Sequence, residues 1–377
     1  MRLPPACALV CVATLAGLMA RTAAADDEFA NTTVVFARGG ALIKSDGKGR
    51  NETELVALPD NANVRALRTD ANGTILLADI AGTWSWMKLD GAANALTPLP
   101  CDAGPAQLSQ DGRYVLCRAK TGASLVVNLV TGKLTPLGVP TLGARLIGTS
   151  GNVRKLVWAD KGAIWAAMAP RLVGATKVAK QAPLRGFLPS PDGTHAVGIY
   201  EDEVFESPKV KKTAEVLTVF ALDGEGARRK AIQNGVPVDW SHDSKWILVQ
   251  DGSSACVMLV AGGQYKCWRG YTAQSISPDG SYALLLGNRS SDKDRKSDKK
   301  KKRKKKERER DDDEVANGGE LEGDQHGDEP MPIDDVPVPP PGGPVSLYRA
   351  ALTGAYTKSP ALIARVVDGA AVWVPTR

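Results

Sequence analysis

Three histidines, four cysteines beyond residue 25 and one long lysine run are the residues of this 377-residue chain whose types could do chemistry. Metal centres need His, Cys or carboxylates clustered at short spacing. His195, His242 and His326 lie far apart, and neither H-x-x-x-H nor C-x-x-C occurs. The patterns G-x-S-x-G, G-x-G-x-x-G and the P-loop are missing too. His195 and His242 sit in or beside turn sequences and read as turn or strand residues rather than ligands. The expectation is a protein that is not an enzyme and has no cofactor and no metal.

The cysteines are Cys101, Cys117, Cys256 and Cys267. An even number in an oxidising compartment favours disulfides, and four cysteines allow three pairings. The local one joins Cys101 to Cys117 and Cys256 to Cys267. The stretch ACVMLVAGGQYKCW (255–268) reads as two strands around a Gly-Gly turn, which sets Cys256 nearly opposite Cys267.

The compartment follows from the N-terminus. Residues 1–25 read as a secretory signal peptide: Arg2, an apolar run at 6–20, then TAAA with cleavage expected after Ala25. No later segment reaches 18 apolar residues, so no transmembrane segment is expected. The protein is expected to be extracytoplasmic, periplasmic or secreted.

The lysine run KSDKKKKRKKKERERDDDEV (296–315) belongs to a longer segment that is nearly neutral. From Arg289 to Asp335 there are 14 Lys/Arg and 16 Asp/Glu, a net of −2, within a whole-chain net of +6. Lysines could neutralise phosphates, but the acids at 311–314 compete for them and no aromatics are interleaved for stacking on bases. Nucleic acid is therefore an unfavoured partner. Residues 289–344, charged and then Pro-rich, cannot bury apolar surface and read as a disordered polyampholyte insertion.

What must hold these residues is a repeat. PAQLSQDGRYVLCR (105–118), FLPSPDGTHAVGIY (187–200), DWSHDSKWILVQDG (239–252) and SISPDGSYALLLGN (275–288) each read as a short strand, a turn of S-x-D-G type and an apolar strand. Pro pre-sets φ, Asp caps the turn through its side chain, and Gly takes φ > 0. The turn residues Asp111, Asp192, Asp243 and Asp279 are spaced by 81, 51 and 36 residues. Worn copies are read at 67–79 and at 153–168 (VRKLVWADKGAIWAAM). A period near 40 with several short strands is the signature of propeller blades.

The S-P-D-G turn followed by an apolar or aromatic strand resembles the WD-like repeat of TolB-type β-propellers. The stretch VVFARGGALIKSDGKGRNETELVALP (34–59) is similar to another blade of that family. The resemblance covers 32–375 apart from the insertion. It implies the fold and says little of function. The α/β domain that TolB proteins carry before the propeller has no counterpart here.

The reading is all-β: a propeller of seven four-stranded blades at 32–60, 64–100, 101–140, 141–183, 184–235, 236–270 and 271–362. The tail 364–377, with the run VVDGAAVWV, supplies the strand that the first blade lacks, so the chain's two ends share a blade. In domain terms, 1–25 is the signal peptide, 26–288 the blades as far as the insertion, 289–344 the insertion, and 345–377 the end of the last blade with the closing strand. The insertion and a second one at 202–214 both fall between the second and third strands of a blade, so both should leave from one face. Recurrent tryptophans such as Trp84, Trp158, Trp240 and Trp246 read as packing between blades.

The function expected is a scaffold that binds a protein or an anionic envelope polymer through that face. Its candidate contacts are Asp202, Glu203, Phe205, Lys209, Lys211, Lys212, Trp268, Tyr271, Lys299, Lys302, Arg303 and Lys305. The alternative is an enzyme, or a carbohydrate or small-molecule binder, using the central channel.

Overall fold

The computed structural model describes residues 32–288 and 345–375, apart from 61, 91–94, 140–143, 149–153, 170–171, 208–209, 223–229, 234, 263–264 and 353–358. Seven antiparallel four-stranded sheets account for every strand. In the first blade the order is Ala371–Pro375, Thr32–Arg38, Ala41–Asp46, Thr53–Ala57. The other six blades use consecutive strands, here lettered a to d from the innermost outward. No helix occurs among the described residues.

Seven apolar clusters hold the ring, and each lies between two neighbouring blades. Blades six and seven share Trp246, Leu248, Tyr271 and Leu285. Blades seven and one share Leu284, Leu286, Phe36 and Trp373. Blades four and five share Ile147, Val157, Tyr200 and Phe220. A sheet sandwiched in this way is buried on both faces, and its central strands lose the alternation of a half-exposed strand. That is why strands 75–80 and 246–251 open with the unbroken apolar runs ILLA and WILV.

The turn that marks the repeat is built alike four times. Ser109, Ser190, Ser241 and Ser277 each donate their hydroxyl to the aspartate two residues on, at 2.5–2.7 Å. Each hydroxyl also accepts the backbone N–H of the residue five positions on, at 2.9–3.0 Å. The turn closes with φ near +70° at Gly112, Gly193 and Gly280, and at +59° at Ser244. In the second blade Asp70 stands where the serine would be. Its carboxylate accepts the N–H groups of Thr74 and Ile75, both at 2.7 Å.

Three expectations change. The copy read at 153–168 is out of phase: Arg154–Asp160 and Ala163–Ala169 are strands b and c of blade four, and Asp160-Lys161-Gly162 is their hairpin turn. Asp and Gly serve either turn, so turn chemistry alone does not fix the phase. The run VVDGAAVWV is two strands: Ala361–Val367 is strand d of blade seven, and only Ala371–Pro375 closes the ring. Residues 202–214 are not a loop. Strands b and c of blade five lengthen into them, as His195–Ser207 and Val210–Ala221.

Both disulfides take the local pairing. Cys101 joins Cys117 with Cα atoms 5.8 Å apart, and Cys256 joins Cys267 at 4.1 Å. The latter two are direct cross-strand partners. Residues 1–31 and 289–344, which hold the expected signal peptide and insertion, lie outside the described residues. No described helix is long and apolar enough to cross a membrane.

Candidate functional site

Two features stand out from the regular blades, and they lie at opposite ends of the ring. The b–c and d–a connections of a propeller share one face, and the a–b and c–d connections share the other. The lengthened hairpin of blade five and the junction Asn288–Val345 of blade seven are both b–c connections, so they rise from the same face.

On that face the hairpin outruns its blade. Strand a pairs with strand b only as far as Ile199, and strand d pairs with strand c only at Leu217–Val219. The two long strands go on pairing through Glu201↔Glu215, Asp202↔Ala214, Glu203↔Thr213, Val204↔Lys212 and Phe205↔Lys211 to Ser207↔Val210. Beyond the blade, therefore, neither edge of this ribbon pairs with a further strand among the described residues. Its base opposes two carboxylates, Glu201 and Glu215, and Arg185 neutralises one by pairing with Glu215. Asp202 and Glu203 are exposed. Phe205, Lys211 and Lys212 lie further along the strands, while Lys209 and the insertion residues Lys299, Lys302, Arg303 and Lys305 fall outside the described residues.

Trp268 and Tyr271 are not contact residues. They are 6% and 5% exposed and belong to the core between blades six and seven. Tyr271 packs edge-to-face on Tyr348, with centroids 5.2 Å apart, and the Lys266 ammonium sits over the Trp268 ring. Their place beside Gly270 in the sequence suggested a loop, but the turn there is so tight that both rings stay in the sheets.

At the other end the central channel holds a cavity of about 130 Å³. Its wall is the inner strands, and its mouth is the ring of a–b turns, with Ala71, Gln110, Pro191, His242 and Pro278 around it. The residue two before the turn Ser or Asp enters the wall in five blades: Arg68, Gln107, Leu188, Asp239 and Ser275, of which all but Leu188 touch the cavity. Blade four contributes Arg145, and Gln274 adds a further amide.

Two cations and one carboxylate, all half-buried, thus line the same cavity. Burial lowers both arginines. Arg145 is brought down to about 10, with the positive charge of Arg68 adding to the effect, and it remains a cation at neutral pH. Burial raises Asp239, against two backbone N–H groups and the attraction of both arginines. Asp239 accepts Trp240 N–H at 2.9 Å and Ile276 N–H at 3.0 Å. Among the described residues neither arginine forms an ion pair. Arg145 donates one N–H to the Pro189 carbonyl at 3.1 Å, and Arg68 Nε has no hydrogen-bond partner. These channel residues were not singled out from the sequence. The signal that finds them is position, two residues before a blade turn, since an Arg or Gln in a strand otherwise reads as surface.

His195 and His242 stand where the sequence placed them, at the start of a b strand and in a turn. No group of three or more His, Cys, Asp or Glu able to hold a metal ion occurs among the described residues.

The class this architecture defines is the seven-bladed β-propeller. No protein-family model and no curated protein matches the chain. Solved structures similar to it include TolB from Acinetobacter baumannii, 11% identical over 62% of this chain and 62% of that one, with a TM-score of 0.43. A putative TolB from Agrobacterium tumefaciens is 12% identical over 92% and 98%, at 0.42. An oligogalacturonate lyase from Vibrio parahaemolyticus is 9% identical over 66% and 80%, at 0.49. These likenesses carry nothing beyond the propeller arrangement that the strand pairing already gives.

Proposed function

We propose that this chain is an exported, non-catalytic binding propeller that docks a protein partner on its b–c face. The observation that carries the reading is the ribbon of residues 201–215, which continues a blade's hairpin with neither edge paired to a further strand among the described residues. A bare edge offers backbone N–H and C=O groups to an extended peptide, which adds as a further strand. The junction for residues 289–344, Asn288 and Val345, lies on the same face two blades away. An anionic envelope polymer would be held by the lysines of that segment instead. Two disulfides suit an oxidising compartment, and residues 1–25 supply the export signal that such a compartment requires.

The test is a cross-linked pulldown from envelope extract with three baits: residues 26–377, the same chain with 202–214 replaced by a two-residue turn, and the same chain with 289–344 replaced by Gly-Gly-Ser-Gly. A partner held by the first and third baits and lost with the second supports strand addition at the ribbon. A partner lost only with the third transfers recognition to the charged segment and favours the polymer. A partner kept by both shortened baits overturns docking on this face.

A further inference from the structure

The channel holds more positive charge than it can satisfy. Arg68 and Arg145 line one cavity, and the only carboxylate among the described residues of its wall, Asp239, is engaged by two backbone N–H groups and forms an ion pair with neither. Both arginines are half-buried, and proteins keep charges withdrawn from bulk water in this way for ligands or paired networks. Two further buried polar atoms in the same wall, Gln107 Oε1 and Trp373 Nε1, also have no hydrogen-bond partner. With Arg68 Nε they make three of the six such atoms among the described residues, gathered around one cavity.

We propose that this cavity binds a small oxyanion, a carboxylate or phosphate group on a body of a few heavy atoms, held between the guanidinium groups of Arg68 and Arg145. The guanidinium fork matches the two oxygens of a carboxylate or phosphate. The cavity's size suits an anion of succinate dimensions and excludes a polymer chain. Leu67, Leu108, Ile147 and Ile276 give it apolar walls, and Trp240 and Trp373 bring an aromatic reporter to each side. The anion enters from the a–b turn face, opposite the ribbon, so this site stands or falls independently of partner docking.

The experiment titrates the folded chain 26–377, at constant low ionic strength, with sodium succinate, inorganic phosphate and sodium chloride. It follows heat, tryptophan fluorescence and Tm. Saturable one-to-one binding of succinate or phosphate, absent with chloride, is expected; which of the two binds tells carboxylate from phosphate. R68Q should weaken it at least tenfold, and R68K should fall between, since it keeps the charge and loses the fork. The ligand-free R68Q protein should also melt at a higher temperature than the wild type, because one of two facing cations is gone. Failure of both oxyanions to bind the wild type overturns the proposal without any variant. Equal binding by wild type, R68Q and R145Q overturns it as well.

Discussion

At the scale of single residues, the turn serine decides more than its size suggests. Ser277 is 1% exposed and serves three groups at once: the Asp279 carboxylate and the N–H groups of Ser281 and Tyr282. Truncation to alanine leaves the buried Tyr282 N–H without a partner, at a cost of about 1–3 kcal/mol. Blade two shows which substitute works, because Asp70 caps the same N–H groups with a carboxylate. Chemical denaturation should therefore place S277A about 1–2 kcal/mol below the wild type, and S277D/D279N, which copies the Asp70–Asn72 pair of blade two, clearly above S277A. If S277A unfolds with the wild type, the hydroxyl contributes nothing and the shared turn reflects backbone geometry alone. This turn was legible in the sequence because its chemistry is local: four residues hold every partner. The channel was not. Arg68, Gln107, Arg145 and Asp239 come from four blades, and only closure of the ring brings them together.

At the scale of strands, the sequence shows the elements better than their phase or extent. Strand b of the last blade, Tyr282–Asn288, is where the apolar run puts it. The lengthened hairpin of blade five was misread as a loop because its residues from 202 to 214 carry six charges and one Pro. Such composition marks exposure, and a two-stranded ribbon beyond its blade is exposed on both faces. The disulfide Cys256–Cys267 links strands c and d of blade six in register, inside a sheet that is already paired through Ser254↔Arg269 and Met258↔Tyr265. Its stabilisation then comes chiefly from restricting the unfolded chain, about 2–3 kcal/mol for a loop this short. Cys101 and Cys117 are both buried, whereas Cys267 is exposed on the outer strand of its blade. Native protein in dithiothreitol should therefore lose Cys256–Cys267 first by thiol alkylation and mass spectrometry, and should keep Cys101–Cys117 until denaturant opens the blades. Ready reduction of Cys101–Cys117 in the folded protein would place its strands among the locally unfolding parts of the ring. A C256A/C267A variant should still fold, with its denaturation midpoint lowered accordingly.

At the scale of the whole molecule, the strands that close the ring weigh more than residues 289–344. Ala371–Pro375 pairs with Thr32–Arg38 through five residue pairs and forms the inner strand of blade one. Trp373 fills the core between blades seven and one, and Val372 and Val374 fill the one between blades one and two. The approach to this strand has no slack: Gly369 sits at φ +145°, and a Cβ there would stand 2.3 Å from the Val64 carbonyl oxygen. Removing residues 370–377 takes a buried Trp, worth about 3–5 kcal/mol by itself, and two buried valines. It also bares the Val34–Phe36 edge. The loss is comparable with the roughly 5–15 kcal/mol that holds a typical domain together. The segment 289–344 is seven times longer, yet the strands it joins are already in contact, with Asn288 directly opposite Val345. A four-residue turn can close that gap without moving either strand. Calorimetry should show no cooperative transition for the chain ending at Gly369, and a transition within about 2 °C of the wild type when 289–344 is replaced by Gly-Gly-Ser-Gly. A cooperative melt in the truncated chain would mean that six blades and an open edge suffice. A large fall in Tm on replacing the insertion would mean that it packs on the ring, and the charged segment would then belong to the folded structure.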